Sequence, residues 1–420
     1  MANLLWIKTS SIFLGISLLV LSSSFGAEPM RLSLEQAIQT ALERNLELKA
    51  KREELGIAEG RLLKANLLLQ HNPELEGEVN NFRVTRGGES GRNATNHGLE
   101  LSQEFEIGGQ PRYRREAAQG NLEKVKFEVK DFERILRFRV AEIFLKLQNV
   151  QAKIKQGEQN VDLRNRLYEA SKTRLSLGDI PEVQLTISEF ELNRSRSDLI
   201  GLQREHEEAI YRLRTELALE GDVPIEILGD LQRTAPSFSL QEFLKTAVER
   251  RSDLAASERE RKVAEAEERL TRAERIPNIK LGVFYDRERQ DGAYIAGGRI
   301  SIPIPVFDRK QGELREALAR KSIANLNYLN RRQALEKEIG AAYARFKLAE
   351  REFSLYPEGT QKKFDESLDL YRRAYEERAI DLADTILFQN QVIEARQKFI
   401  DALTNYDLSL AELKFQAGIE

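Results

Sequence analysis

Residues 299–313 read RISIPIPVFDRKQGE. Ile300, Ile302 and Ile304 alternate at the two-residue period of a strand, Pro303 and Pro305 interrupt it, and a strongly charged stretch follows at once. Nearly the same passage, from alternating strand into charged helix, occurs about 200 residues earlier as LELSQEFEIGGQPRYRRE (99–116). A junction built twice in one chain calls for a search for internal repeats before anything else.

The search finds a duplication. LSLEQAIQTALERN (32–45) matches FSLQEFLKTAVERR (238–251) at an offset of 206, and Pro73 in HNPELEGEV (71–79) matches Pro277 in RIPNIKLGV (275–283) at 204. RVAEIFLKL (139–147) matches EIGAAYARF (338–346) at 199, and GDIPEV (178–183) matches RAIDLA (378–383) at 200. Residues 27–219 and 238–420 are therefore two copies of one unit, joined by a linker at 220–237 (EGDVPIEILGDLQRTAPS).

The same order of elements is expected in each copy. A helix over about 33–70 starts behind Ser33, an N-cap with Gln36 three residues on, which is a capping-box pattern. Pro73 ends it. Strands follow near 74–86 and 97–107, separated by the turn-rich loop GGESGRNATN (87–96). A helix from about 111 to 177 carries no internal proline; Gly178 and Pro181 break it, and a last helix runs over about 182–218. The second copy repeats this at about 239–275, 278–290, 293–305, 306–378 and 380–415.

The long helix reveals its packing in its spacing. Val125, Val129, Phe132, Leu136, Val140, Ile143, Leu147, Val150 and Ile154 form one stripe at the straight α-helical period of 3.6. Phe127, Ile135, Phe138 and Leu145 form a second. Two apolar edges require a neighbour on each side, as in a barrel wall or a broad bundle. At 1.5 Å per residue this helix is on the order of 100 Å long, so the two shorter helices must stack end to end to match it.

Composition narrows the function. With 32% charged residues and a net charge of −3 over 420 residues, the chain lacks the basic excess of a nucleic-acid binder. It has no cysteine, which leaves no disulfide, thiolate metal site or cysteine nucleophile, and a lipidated N-terminus is not expected. The three histidines, His71, His97 and His206, lie on different elements with no HExxH pattern, so neither a metal site nor a cofactor is expected. GGESGR (87–92) lacks the Lys-Ser/Thr of a phosphate loop, and no catalytic constellation is present. The chain is not read as an enzyme.

Residues 1–26 read as an export signal: Lys8, then the apolar run Ile12 to Leu21, then Ser24-Phe25-Gly26 with small residues for cleavage. An uncleaved anchor helix is the alternative, though the run is short for a span. The mature chain is expected to begin near Ala27, and no later stretch has 18 consecutive apolar residues.

Strand 99–107 alternates Leu99, Leu101, Phe105 and Ile107 against Glu100, Ser102, Glu104 and Glu106; Ile279, Leu281, Val283 and Tyr285 continue the apolar face. An apolar outside against an acidic inside is the pattern of a transmembrane barrel, with Glu100, Glu104 and Glu106 toward the lumen. A half-buried soluble hairpin alternates in the same way. Single-chain membrane barrels start at 8 strands, so four strands require several protomers, and three protomers make a twelve-stranded barrel. Pro73, Pro111, Pro277 and the pair Pro303/Pro305 fall at the helix–strand crossings, where a residue without an N–H ends one ladder. Arg112, Arg114, Arg115, Arg309 and Lys310 sit just past the strands, placed to reach lipid phosphates or to serve as solvated helix charges.

In the order, spacing and duplication of these stretches the chain resembles the TolC family of outer-membrane efflux ducts over essentially its whole mature length. HNPEL and IPIPVFDRKQGE are most similar to the branch that partners heavy-metal RND pumps of the cobalt–zinc–cadmium and copper–silver kind. The resemblance implies a mainly α fold with a membrane β-barrel: a homotrimer whose 12-stranded barrel in the outer membrane continues into a long periplasmic α-barrel. It implies a periplasmic adaptor and an inner-membrane RND-type pump as partners. The hairpin tips would meet the adaptor through Gly178, Ile180, Pro181, Arg378, Ala379 and Ile380. Gly178 stands at the family's tip glycine, and Arg378 departs from it in the second copy. Asp384 stands where the family carries an acid in its closing constriction, with Asp381, Asp179 and Glu182 nearby as further gate candidates. These acids equally suit helix starts, where a carboxylate complements the dipole. A drug-efflux or type I protein-secretion duct shares the architecture, and a periplasmic helical scaffold would keep the helices without the membrane.

Overall fold

A computed structural model describes residues 30–84, 92–221, 223–229, 239–288 and 293–419. The expected export signal, 1–26, and the start near Ala27 lie outside them. In chain order the elements are β1 (Met30–Leu32), α1 (Leu34–Arg44), α2 (Leu46–Ala65), β2 (Glu74–Val84), β3 (Arg92–Phe105), α3 (Gln110–Ser176) and α4 (Glu182–Glu216). The second copy follows with β4 (Ile225–Ile227), α5 (Leu240–Arg250), α6 (Ser252–Ala273), β5 (Ile279–Glu288), β6 (Ala293–Ser301), α7 (Gln311–Phe353), α8 (Thr360–Glu376) and α9 (Leu382–Ala417).

The capping boxes form in both copies, Ser33 with Gln36 and Ser239 with Glu242. The 67-residue α3 is unbroken from a start that carries Pro111 in its first turn. Its first apolar stripe is buried from Val125 to Val150 except at Phe132 and Ile143, which are partly buried, and its second meets α9, where Phe138 stacks on Phe415 at 4.5 Å.

Five expectations need correction. The opening helix of each copy is two helices, broken at Asn45 and Arg251, and ends at Ala65 or Ala273 rather than at 70 or 275. The helix expected over 306–378 starts only at Gln311 and is interrupted by Ser354–Gly359, where Pro357 has no N–H to donate and Gly359 takes φ 85°. In the first copy the matching stretch carries Gly157, which stays helical under Leu199; a Cβ there would lie 3.1 Å from Leu199 Cδ1. The linker 220–237 contains β4, which pairs in parallel with β1, Met30 opposite Ile225 and Leu32 opposite Ile227. Strand bounds also shift. β3 begins at Arg92, inside the expected loop, because Arg92 to Asn96 continue the ladder opposite Asn80 to Val84. β6 ends at Ser301, two residues before Pro303, since proline cannot extend the ladder.

The breaks at Asn45 and Arg251 are where the short helices stack. α4 rises beside α3 and ends at Glu216; α2 continues its line. Asn45 bridges the joint: its Oδ1 accepts from the Leu48 N–H (3.0 Å) and its Nδ2 donates to the Glu216 carbonyl (3.0 Å). In the second copy α9 ends beside α6, and Arg251 Nη1 donates to the Gln416 carbonyl at 3.2 Å. Asn45 thus ties an orphan carbonyl of one helix to an orphan N–H of the next, whereas Arg251, a donor only, meets the carbonyl alone. The cores around the joints are the main apolar clusters, Leu136, Val140, Phe144 and Leu147 with Leu213 and Leu217 in one, and Leu335, Ile339 and Phe346 with Tyr406 and Leu413 in the other.

The wall therefore has four helical lines: α4–α2, α3, α9–α6, and α7–α8. Above it stands one antiparallel sheet in the order β2-β3-β5-β6. Both layers are open at their sides. Among the described residues β2 and β6 are unpaired sheet edges, and the flanking helices expose apolar side chains there: Ile57 and Leu63 of α2, Phe190 of α4, Leu326 of α7 and Leu370 of α8.

Candidate functional site

The register separates the two faces of the sheet. One carries Leu75, Val79, Leu99, Leu101, Leu281, Val283, Tyr285 and Ile300, all exposed. The other carries Glu74, Glu76, Glu78, Glu100, Glu104, Asp286 and Glu288 against Lys280 and Arg299, with Arg92 at a register position of the same face. Lys280 pairs with Glu74 at 2.6 Å and Arg299 with Glu100, so carboxylates remain in excess. Phe284 lies flat across this face over Gly297, where a Cβ would come within 2.7 Å of its ring; the Arg299 guanidinium sits 5.3 Å from the ring centre.

Glu100 and Glu104 thus stand on the polar face as expected, Glu104 accepting from Asn278 Nδ2 at 2.7 Å. Glu106 does not. It follows the last residue of β3, and its nearly buried carboxylate takes both hydrogen bonds of the Arg114 guanidinium, Nη1 to Oε2 at 2.9 Å. Arg114 is correspondingly withdrawn from the lipid side. Alternation could not reveal this, because the partner lies eight residues on, in the helix. The pair lines a groove of about 500 Å³ at the foot of the sheet with Arg61, Lys64 and His71. Pro73 and Pro277 stand just before β2 and β5, and Pro303 and Pro305 lie between β6 and α7.

At the far end the two hairpin tips adopt the same turn. Asp179 N–H donates to the Arg174 carbonyl and Gly178 N–H to Leu175; Ala379 N–H donates to Ala374 and Arg378 N–H to Tyr375. This turn needs a left-handed residue at its centre, and Gly178 (φ 76°) and Arg378 (φ 62°) both supply it. Arg378 Nη2 reaches Asp179 Oδ2 at 2.5 Å, joining the tips. Ile180 is buried, and Ile380 is packed on the tip cluster of Leu167, Tyr375 and Leu382; Ala379 is exposed. Pro181 and Asp381 are N-caps of α4 and α9, and the Asp381 carboxylate accepts from the Asp384 N–H at 2.8 Å. Glu182 and Asp384, in the first turns, are exposed, and among the described residues neither carboxylate meets a partner. Of the gate candidates, then, Asp179 is held in an ion pair and Asp381 in a cap, and two acids are free.

Sequence reasoning missed the polar packing of this end. Arg164, 3% exposed, donates from Nη1 to Gln389 Oε1 (3.0 Å) and from Nη2 to Asn390 Oδ1 (2.5 Å). Ser171 Oγ meets Tyr375 Oη at 3.0 Å. Arginine is common in helix surfaces, so only its position opposite two amides on α9 marks it.

Comparison with known proteins agrees with this architecture. Residues 243–418 match the sequence model of the outer membrane efflux protein family. The cobalt-zinc-cadmium resistance protein CzcC of Cupriavidus metallidurans is 23% identical over 372 residues, 89% of this chain and 86% of that one. The outer-membrane channel OprN superposes with a TM-score of 0.77 at 17% identity, covering 92% of this chain and 90% of OprN. CusC superposes at 0.73 with 20% identity and 92% of each chain covered. The second copy thus matches the sequence model of the outer membrane efflux proteins, and the described chain shares the fold of solved channels.

Proposed function

We propose that this efflux channel is a homotrimeric, passive exit duct for heavy-metal cations, fed by an inner-membrane RND-type pump through a periplasmic adaptor. The observation that carries the cargo is the acidic polar face of the sheet. Closed into a barrel, that face becomes the lumen lining, and its excess carboxylates concentrate cations and repel anions. The similarity to CzcC, named for cobalt, zinc and cadmium resistance, supports the same cargo. The open edges support the trimer: β2 and β6 each lack a neighbour, and three four-stranded sheets give twelve strands.

At the tips, Glu182 and Asp384 are the gate acids. Repeated threefold near an axis, they attract cations and repel one another, which favours opening. The tip turns at Gly178 and Arg378 present the adaptor surface, with Pro181, Ala379 and Ile380 beside them.

Planar-bilayer recording of the purified trimer under a salt gradient tests this reading. The expected reversal potential is that of a cation-selective pore, moving toward zero in Glu76→Gln/Glu100→Gln. Anion preference would overturn the cation-duct reading. Asp384→Ala is expected to raise resting conductance, and unchanged conductance would remove Asp384 from the gate.

A further inference from the structure

The foot of the sheet carries two tiers of exposed side chains. Below Ser301 the apolar alternation of Ile300 runs on through Ile302, Ile304 and Val306, with Phe307 next to it; Ile304 is 81% and Phe307 92% exposed. In the first copy Ile107, just past β3, is exposed, and Leu68, just before β2, is 93% exposed. Immediately on the helix side stand Arg112, Arg115, Arg309 and Arg315, all exposed.

The duplication relates two of these arginines. Arg115 and Arg315 are 200 residues apart, and each precedes by two a buried alanine, Ala117 or Ala317. Two residues are about 200° of helix, so each guanidinium faces away from that packed side. Arg114, by contrast, turns inward to Glu106. Lys310 is taken by Glu313 at 3.0 Å.

None of the four meets a carboxylate among the described residues. Arg115 Nε donates to the Pro111 carbonyl (3.2 Å), Arg309 Nε to Val306 (3.4 Å), and Arg112 lies over the Tyr113 ring. Arg112 has an acid one turn on, Glu116, but that carboxylate faces Arg269 at 3.4 Å. Other exposed arginines nearby, Arg269 of α6 and Arg320 of α7, do take glutamates of their own helix. Four unpaired guanidinium groups beside exposed isoleucine and phenylalanine need an anionic partner with an apolar body.

On the duct reading, which this rests on, the membrane ends at this level. We infer that the collar binds acidic phospholipids of the periplasmic leaflet. Acyl chains lie against Leu68, Ile304 and Phe307, in continuity with the apolar face of the sheet. The phosphates lie on Arg112, Arg115, Arg309 and Arg315, whose planar donor forks suit phosphate oxygens. Apolar side chains toward hydrocarbon and cations at headgroup depth are the order a membrane interface selects.

The test is native mass spectrometry of the full-length trimer in mild detergent with equimolar phosphatidylglycerol and phosphatidylcholine. The wild-type trimer is expected to retain phosphatidylglycerol over phosphatidylcholine by about fivefold or more, the effect of a single arginine at a charged surface. High salt should erase that preference. Arg112→Gln/Arg115→Gln/Arg309→Gln/Arg315→Gln should retain the two lipids equally, and Phe307→Ser should lose both in parallel. Equal retention by the wild-type trimer overturns the collar without touching the duct, as does a variant trimer with the wild-type preference. If the variant falls into protomers and the wild type shows no preference, the arginines serve the neighbouring subunit, and the lipid site is excluded. A water-soluble wild-type monomer overturns the duct reading and the collar with it.

Discussion

The two copies of the unit solve one problem, the joint between stacked helices, with different chemistry. In the first, neutral Asn45 spans from the α2 N–H groups to the α4 carbonyl. In the second, Arg251, 2% exposed, donates to the α9 carbonyl of Gln416 and is balanced by Asp253 and Glu338, which also hold Arg331. A duplicated fold thus preserves the geometric demand and not the residue. The neutral solution needs little support, whereas the charged one needs a full set of counter-charges around it.

That difference predicts unequal costs. Arg251→Ala leaves Asp253 and Glu338 to Arg331 alone beside an open carbonyl and should destabilise the protein by about 3 kcal/mol, read as a shift in urea unfolding. The pH response is the next largest. Burial pushes the Asp253 carboxyl up, but the Arg251 hydrogen bond and the charges of Arg251, Arg331 and Arg134 outweigh it and hold it at about 2. A depressed carboxylate contributes stability that is complete above its unfolded value near 4 and is lost as pH falls toward 2. About 2 kcal/mol should therefore vanish across that window in the wild type. Asp253→Asn should flatten this part of the stability curve; an unchanged curve would show that the carboxylate is not held by its arginines.

Asn45→Ala should cost less, about 1–2 kcal/mol, as a lost cap and one unmet carbonyl. Equal losses at Asn45 and Arg251 would break the contrast between the copies. The smallest effects belong to the tips. Gly178→Ala should cost about 1 kcal/mol at its left-handed position. Arg378→Gly relieves the same strain but gives up the exposed Asp179 pair, and should leave stability almost unchanged.

Much of this fold was legible in the residues because its signals are local. The Ser33 box, the stripe from Val125 to Val150 and the alternation at Leu99 and Leu101 are each set within a few residues, and duplication let each copy check the other. What escaped depends on distant partners. Asn45 and Arg251 break helices whose sequences read as continuous, because the stabilising carbonyls lie over 160 residues away. β1 and β4 are three-residue strands that exist only through each other. Glu106 continued the acidic alternation on paper, yet Arg114 claims it after the strand has ended. Pro357 falls inside the stretch expected as one helix over 306–378 and marks a break that the first copy lacks. At the tips, spacing alone gave Gly178 and Arg378 equivalent places, and their shared left-handed turn agrees with that. The separation of free Asp384 from capping Asp381 required the hydrogen bonds.

The open edges of the sheet also govern assembly. A lone protomer in hydrocarbon would leave the outward N–H and C=O groups of β2 and β6 unpaired, each costing several kcal/mol. In water those groups are hydrated, so on the proposed trimeric duct single chains would wait outside the bilayer until partners arrive. Insertion and closure then form one event whose rate rises more steeply than the supply of chains. Halving the rate of export should lower the number of finished ducts by more than half.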